Sequence, residues 1–439
     1  MHTIDLTMDR ISKIEGSASL DVKVVDDKVT ECHFKTTEYK RFYVEAMKGK
    51  PIIALPQLLS RICGTCSNAH LLCSIAACED ALGIVPSMQT MLLRWLTMYG
   101  LNIRDHALHL YLFSMPDLYG KDAFLDFDEN DPEQHQQLHD GFEIKAAGNF
   151  LATLVAGRSV HALHPTIGGF LRFPDAEGIK EAITKLEKAR PAVLRLIDTF
   201  AKAPFHLDRK THYMALVPER FGYLTGSIYR TDTGETIPPR EFRQHLEHVV
   251  LPYSQASAYK HKEHSYMVGA LARLNIAKEK LHAKTKQTLG KLLDRFPSTD
   301  IFDNNLAQAI EVLHCLDDAV EILRTSSFKP EPVVKKPYKA GIGIGVIEAP
   351  RGTLYHKVEI DDKGIVKGGE VIVPTNQNQI NIEEDIVVLV EKLLPNTEKE
   401  KLEFEIEKLI RAYDPCMSCA AHFLKVNWQS LKAKPRTGA

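Results

Sequence analysis

The chain has 439 residues, of which 44% are hydrophobic and 26% charged, the balance of a globular protein with a sizeable buried core. Its formal net charge of −2 leaves no one-signed field for nucleic acid or an anionic membrane surface, and its longest apolar runs fall well short of the ~20 residues of a membrane span. The N-terminus has no basic stretch followed by an apolar one, so the expectation is a cytoplasmic protein, unless a partner's signal exports both.

Residues 18–35 alternate as strands do, with Leu20, Val22 and Val24 before Asp26-Asp27-Lys28, and predict a hairpin. From 41 to 112 the pattern is helical. Gly64 interrupts it, Ser67 is expected to cap a helix to about Leu82, and Ser87 to cap a longer one. Met91, Leu92, Trp95, Met98 and Tyr99 give that second helix a buried face, and Arg104-Asp105-His106 falls late in it. Residues 115–133, rich in Asp, Pro and Gly, read as an exposed loop. Helices are predicted at 134–156 and 176–203, around a turn-rich connection at 157–169. A short hairpin at 221–240, turning at Thr231-Asp232-Thr233-Gly234, precedes helices at 240–250, 272–296 and 303–326.

A Pro/Lys stretch from Lys329 to Pro337 has the composition of a linker. Residues 340–374 return to β, with Gly/Ile alternation and a turn at Asp361-Asp362-Lys363-Gly364, and helices at 383–394 and 397–412 follow. The predicted class is α+β, one large helix-dominated domain over 1–422. It divides into a β-unit at 1–35, a helical body at 36–328, a β-unit at 340–374, and C-terminal helices with a cysteine motif at 383–422. The two β-units could pack beside each other and bring the terminal motifs together, a packing that periodicity does not give.

The eight cysteines lie at 32, 63, 66, 73, 78, 315, 416 and 419. Sparse usage in a long chain without an export signal indicates reduced thiols or metal ligands rather than a disulfide framework. Four form two Cys-x-x-Cys pairs, each with a nearby histidine: Arg61-Ile62-Cys63-Gly64-Thr65-Cys66-Ser67-Asn68-Ala69-His70 and Asp414-Pro415-Cys416-Met417-Ser418-Cys419-Ala420-Ala421-His422. A four-cysteine zinc, an iron–sulfur cluster and thiol–disulfide chemistry are all open to such pairs. A local zinc ribbon is excluded, since its pairs stand ~15–20 residues apart.

The flanking residues change the odds. Arg61-x-Cys-Gly-x-Cys-x3-His70 with Asp414-Pro-Cys-x2-Cys-x2-His422 closely resembles the paired signatures of the nickel–iron hydrogenase large subunit, in the same order. Lys13-Ile14-Glu15-Gly16 is similar to that family's Arg-Ile-Glu-Gly-His, with Lys13 for Arg and Ser17 for His. Arg104-Asp105-His106, the Gly157-Arg158…His161…Gly168-Gly169 segment, Glu348-Ala349-Pro350-Arg351-Gly352 and Val373-Pro374-Thr375-x-x-Asn378 also resemble family segments, so the likeness runs from about residue 10 to 422.

The resemblance implies a binuclear centre that cleaves dihydrogen heterolytically or forms it. Cys63 and Cys416 would be terminal ligands of nickel; Cys66 and Cys419 would bridge nickel to an iron carrying carbon monoxide and cyanide. Glu15 would relay protons beside Cys416, and Arg351, after Pro350, would stand over the metals, with Asp105 and Asp414 as its acidic neighbours. Thr375 would donate to a cyanide and His70 to a bridging sulfur. Taken alone, each has a plainer reading: Glu15 opening a hairpin, Arg351 on a surface turn, Asp414 ending a helix.

Two features depart from or extend the pattern. Family members hold a divalent cation, such as Mg2+, with a glutamate upstream of the first motif and the final histidine. Here His422 is present, but Val44 takes the glutamate's place and Glu45 is one residue displaced, about 100° around a helix. Residues 423–439 resemble the maturation peptide that a dedicated protease removes from family precursors once nickel is inserted.

Cys32, Cys73, Cys78 and Cys315 form no cluster signature, and no Gly-rich dinucleotide motif follows a strand. Electrons would therefore leave through an iron–sulfur small subunit, with further electron-transfer subunits handling the final carrier and nickel-insertion proteins serving assembly. The chain's length is nearer the shorter cytoplasmic types. The rivals are a hydrogen-sensing regulatory subunit and a zinc-clasped structural protein. Quinone-reducing relatives that have lost the cysteines are argued against by their presence here.

Overall fold

The computed structural model describes residues 3–39, 41–217, 220–224, 226, 229–231, 234–394 and 397–421. It is an α+β protein dominated by helices. The N-terminal sheet is an antiparallel meander of Ile4–Met8, Ala18–Val25 and Lys28–Thr36. The predicted hairpin is there, and it gains an outer strand. Asp26 and Asp27 turn the chain at φ 52° and 64°, a two-residue turn of the kind whose twist suits paired strands. Leu20, Val22 and Val24 face the core.

The body consists of long helices whose starts follow from their caps. Ser87 accepts a hydrogen bond from the Thr90 amide at 3.0 Å and starts Met88–Ala107. Asp131 caps Pro132–Ala156, and Asp175 caps Ala176–Ala201. Ser67 is not a cap; it is the first residue of Ser67–Leu82, and Cys66 takes the cap position. Helices Met88–Ala107 and Pro132–Ala156 cross at glycine: a Cβ on Gly148 would lie 2.7 Å from the Arg104 amide nitrogen. That close crossing sets the height of Arg104 and Asp105. Helix Asp303–Thr325 runs through the middle and is buried on nearly every side.

Several expectations are corrected. Residues 115–133 include a short helix, Met115–Leu118, and buried Phe124 and Phe127, because their rings pack with Tyr111 and each other and pull the loop inward. The predicted helix at 240–250 stops at His245. Leu246–Val250 is a strand paired with Ser257–His261, where β-branched Val249 and Val250 suit a ladder. The helix predicted at 272–296 is broken into Ala270–Ala277, Ala283–Leu289 and a 3-10 stretch, Gly290–Arg295, with Gly290 at φ 51°. The hairpin predicted at 221–240 keeps strands Tyr229–Thr231 and Thr236–Ile237, while Asp232 and Thr233 lie outside the described residues. The Pro/Lys stretch is a strap tied to the body: the Lys329 amide donates to Gln89 at 2.8 Å and the Val334 amide to the Gly168 carbonyl at 3.0 Å.

The C-terminal sheet, Gly341–Ala349, Gly352–Ile360 and Val366–Ile372, does not serve as a neighbour for the first sheet. It packs on helix Ser67–Leu82, whereas the N-terminal sheet packs on helix Pro374–Leu393, where Gln379 donates to the Phe34 carbonyl at 2.6 Å. The Gly/Ile alternation has a steric cause. Cβ atoms on Gly343 and Gly345 would lie 1.9 Å from the Ala77 carbonyl oxygen and 2.2 Å from that of Cys73. The chain ends meet through backbone: Glu15 and Cys416 form a parallel bridge, and the Met417 amide donates to the Glu15 carbonyl at 2.9 Å. Among the described residues no helix is long and apolar enough to cross a membrane.

Gly345→Val is expected to push helix Ser67–Leu82 off the sheet and to cost at least the ~1–3 kcal/mol of an overpacked core. Denaturant unfolding measures it; an unchanged midpoint would contradict the close approach.

Candidate metal centre

Four sulfurs define the site. Those of Cys63, Cys66, Cys416 and Cys419 all lie within 4.8 Å of one another and all four residues are buried. Cys63 sits in extended backbone after a 3-10 turn, and Cys66 at the start of helix Ser67–Leu82. Cys416 and Cys419 come from the short helical turn Met417–Ala420 and the residue before it. The Cys63 and Cys416 sulfurs are 3.4 Å apart and those of Cys66 and Cys419 3.1 Å, too far for a disulfide bond of ~2.05 Å. Hydrogen bonds from Cys416, Cys419 and Cys66 lower the Cys63 thiol well below its ordinary range, while burial pushes those of Cys416 and Cys419 up. Buried sulfurs this close cannot all ionise without a cation among them.

The polar neighbours come from far along the chain. A Glu15 carboxylate oxygen lies 2.9 Å from the Cys416 sulfur and accepts from the Ser418 amide at 3.1 Å. Burial, then the nearby Cys63 charge, raises the Glu15 pKa. The Thr375 hydroxyl accepts from the Cys416 amide at 2.9 Å, which leaves its proton to donate elsewhere. His70 places Nε2 3.5 Å from the Cys419 sulfur and Nδ1 3.2 Å from His356 Nε2.

Arg351 lies buried between two carboxylates. Its Nη1 donates to Asp105 at 2.7 Å and its Nε to Asp414 at 3.0 Å. Asp414 is held in turn by Gln308, which donates to its other oxygen at 3.0 Å, and by a left-handed backbone at φ 51°. Burial alone would lower the Arg351 pKa, but the charges of Asp105, Asp414, Cys416 and Cys66 hold it well above its usual value. Arg351 Nη2 is 2.9 Å from the same Asp414 oxygen in poor alignment, so it has no hydrogen-bond acceptor among the described residues.

The structure thus gathers Cys63, Cys66, Cys416, Cys419, Glu15, Arg351, Asp105, Asp414, Thr375 and His70 around one point. Pro350 is buried beside them and shapes the turn that presents Arg351. Glu45 is not part of this group: it is exposed and paired with Lys48 at 2.8 Å, as its displaced register implies. His422 lies outside the described residues, as does the 423–439 stretch.

Two other members, Arg41 and His356, carried no readable signal, and Arg104 was legible only as part of a segment that resembles the family. The Arg41 guanidinium donates to the carbonyls of Ile62, at 2.7 Å, and Ser418, at 2.6 Å, each directly before a cysteine of the site. Recognition of carbonyls leaves no trace in residue spacing. His356 supports His70 from strand Gly352–Ile360. Arg104, beside the noted Asp105, donates to the Thr65 carbonyl between the first pair of cysteines.

The sequence matches the family model described as nickel-dependent hydrogenase over residues 44–152 and 227–422. It is 30% identical to sulfhydrogenase 2 subunit alpha of Pyrococcus furiosus over 425 residues, which covers 96% of this chain and 100% of that protein. It is 27% identical to the NAD-reducing hydrogenase HoxS subunit beta of Cupriavidus necator, over 95% of each. Among solved structures, an NAD+-reducing NiFe-hydrogenase in the H2-reduced state matches with a TM-score of 0.83 at 22% identity, covering 96% of this chain and 100% of that one. That last likeness establishes the fold.

Arg351→Met removes the charge between two buried carboxylates and should destabilise the protein by about 3–5 kcal/mol, the cost of breaking a buried pair. Adding Asp105→Asn and Asp414→Asn should recover much of the loss in denaturant unfolding. A single variant as stable as the wild type would contradict the buried ion triad.

Proposed function

The chain belongs to the nickel-dependent hydrogenase family, and from that premise we propose that it is the catalytic subunit in which dihydrogen is split heterolytically. The observation that carries this reading is the thiolate cluster drawn from both ends of the chain, with a buried arginine beside it. Four soft sulfur donors suit nickel and iron. Arg351 Nη2, which has no aligned acceptor among the described residues, and the Thr375 hydroxyl, which accepts from the Cys416 amide and keeps its proton to donate, suit acceptor ligands on the iron, such as cyanide. Cys63, Cys66, Cys416 and Cys419 would together hold the nickel–iron pair. When bound, that pair supplies the polarisation of dihydrogen and accepts its electrons.

The chain's residues divide the rest of the work. Glu15, with its raised pKa and its carboxylate against the Cys416 sulfur, takes the proton away from the cluster. Asp105 and Asp414 keep Arg351 charged and oriented, so that it can hold an anionic ligand in place. His70, backed by His356, orients the Cys419 sulfur. Glu45, exposed and bound to Lys48, gives little support to a divalent cation site built with His422. The relatives' names designate subunits, which supports a partner; an iron–sulfur small subunit would receive the electrons. We read 423–439 as a maturation peptide removed by a protease after nickel insertion, and place the protein in the cytoplasm. That extension also favours an enzyme over a hydrogen-sensing subunit.

Hydrogen-dependent dye reduction by the purified complex tests the reading. Cys416→Ala should abolish it, and an active Cys416→Ala variant would refute the ligand assignment. Glu15→Gln should retain nickel and iron yet slow turnover on the order of 10²–10⁴-fold, the span of general acid–base contributions. Full turnover in Glu15→Gln would remove Glu15 from the proton route. Mass spectrometry of active protein should find the C-terminus at His422; an active chain ending at Ala439 would contradict processing.

A further inference from the structure

Away from the sulfurs lies a second buried charge cluster, and Arg273 is its centre. The residue sits on helix Ala270–Ala277 and is 1% exposed. All five of its N–H groups are used. Nε and Nη2 donate to the two Glu311 oxygens at 2.6 and 2.7 Å, and Nη1 donates to Glu348 at 2.8 Å. The remaining two donate to main-chain carbonyls: Nη1 to Ala349 at 3.0 Å and Nη2 to Pro350 at 2.8 Å. These are the two residues directly before Arg351.

The geometry points to Arg273 as a positioning residue for Arg351, an assignment that rests on the functional reading above. Strands Gly341–Ala349 and Gly352–Ile360 pair Ala349 with Gly352, so Pro350 and Arg351 form the whole two-residue tip of the hairpin. A tip of this kind has two carbonyls and a proline without an N–H, and by itself it is free to rock. Arg273 grips one carbonyl of the tip, that of Pro350, and the Ala349 carbonyl that leads into it, with one rigid guanidinium plane. Its helix also abuts the turn: a Cβ on Gly352 would stand 2.9 Å from the Gly269 amide nitrogen.

The same cluster reaches both counter-ions of Arg351. Glu311 bonds His106 at 3.0 Å, and His106 follows Asp105 on helix Met88–Ala107. Asn304 accepts from the Leu271 amide at 2.9 Å and donates to the Ala412 carbonyl at 2.8 Å, two residues before Asp414. A buried arginine could be secured by carboxylates alone. Spending two donors on the carbonyls of one turn aims it at Arg351.

The test is a double-mutant cycle in the assembled enzyme, with Arg273→Lys, Arg351→Lys and the pair. Lysine keeps the charge but loses the planar fork. Arg273→Lys should lower hydrogen-dependent dye reduction at least tenfold with nickel and iron content unchanged. In the Arg351→Lys background the same change should cost less than twofold, because its route of action is already gone. Losses that multiply would overturn the proposal. Amide exchange gives a readout independent of activity. Protection of a 347–356 peptide should fall at least tenfold in Arg273→Lys, while a peptide from Ser67–Leu82 keeps its protection. Unchanged protection at 347–356, or equal loss in both peptides, would overturn it. Should Arg273→Lys not fold, Glu311→Gln, which loosens the bidentate grip, is read by the same exchange criterion. If the wild-type complex shows no hydrogen-dependent activity, the functional reading fails, while the exchange result still judges the grip on the turn.

Discussion

Holding four cysteine sulfurs within 4.8 Å of one another and out of water is unfavourable unless something positive shares them. The rest of the structure answers that constraint. Two of the sulfurs enter at residues 63 and 66 and two at 416 and 419, so the chain must close almost its entire length to assemble them. A backbone bridge between Glu15 and Cys416 and the Arg41 guanidinium, bound to the carbonyls of Ile62 and Ser418, do the closing. A site of this construction exists only in the folded chain, so metal affinity and closure of the last residues are thermodynamically linked.

Charge around the cluster is arranged in alternating layers. The four cysteine sulfurs lie innermost, Arg351 beside them, and Asp105 and Asp414 behind Arg351. Behind these lies a second layer, in which Arg273 sits between Glu311 and Glu348. Burial alone would raise the Glu311 pKa, yet the charge and hydrogen bonds of Arg273 bring it down to about 2. Arg351 and Arg273 are thereby each paired with two carboxylates, and these side chains gain fixed orientations rather than net stability.

How much of this is legible in sequence depends on the scale of the signal. The cysteine pairs, Glu15, Arg351, Asp105 and Asp414 lie in short contiguous motifs, and the structure brings all of them to one place. A long helix such as Met88–Ala107 follows from its cap and periodicity. The strand Leu246–Val250 was hidden because its identity depends on pairing with Ser257–His261. The buried loop at Phe124 and Phe127 was hidden by its Asp-rich surroundings. Arg41 and Arg273 bind carbonyls, and a carbonyl belongs to every residue, so no spacing rule exposes them. The meeting of the two chain ends likewise rests on backbone bridging that no periodicity encodes.

The most direct test of a thiolate-bound nickel–iron pair in this chain is infrared spectroscopy of the purified complex. The account predicts bands from carbon monoxide and cyanide bound to iron, in a protein that also contains nickel and loses those bands in Cys419→Ala. A protein with zinc alone at the four cysteines and no such bands would contradict it.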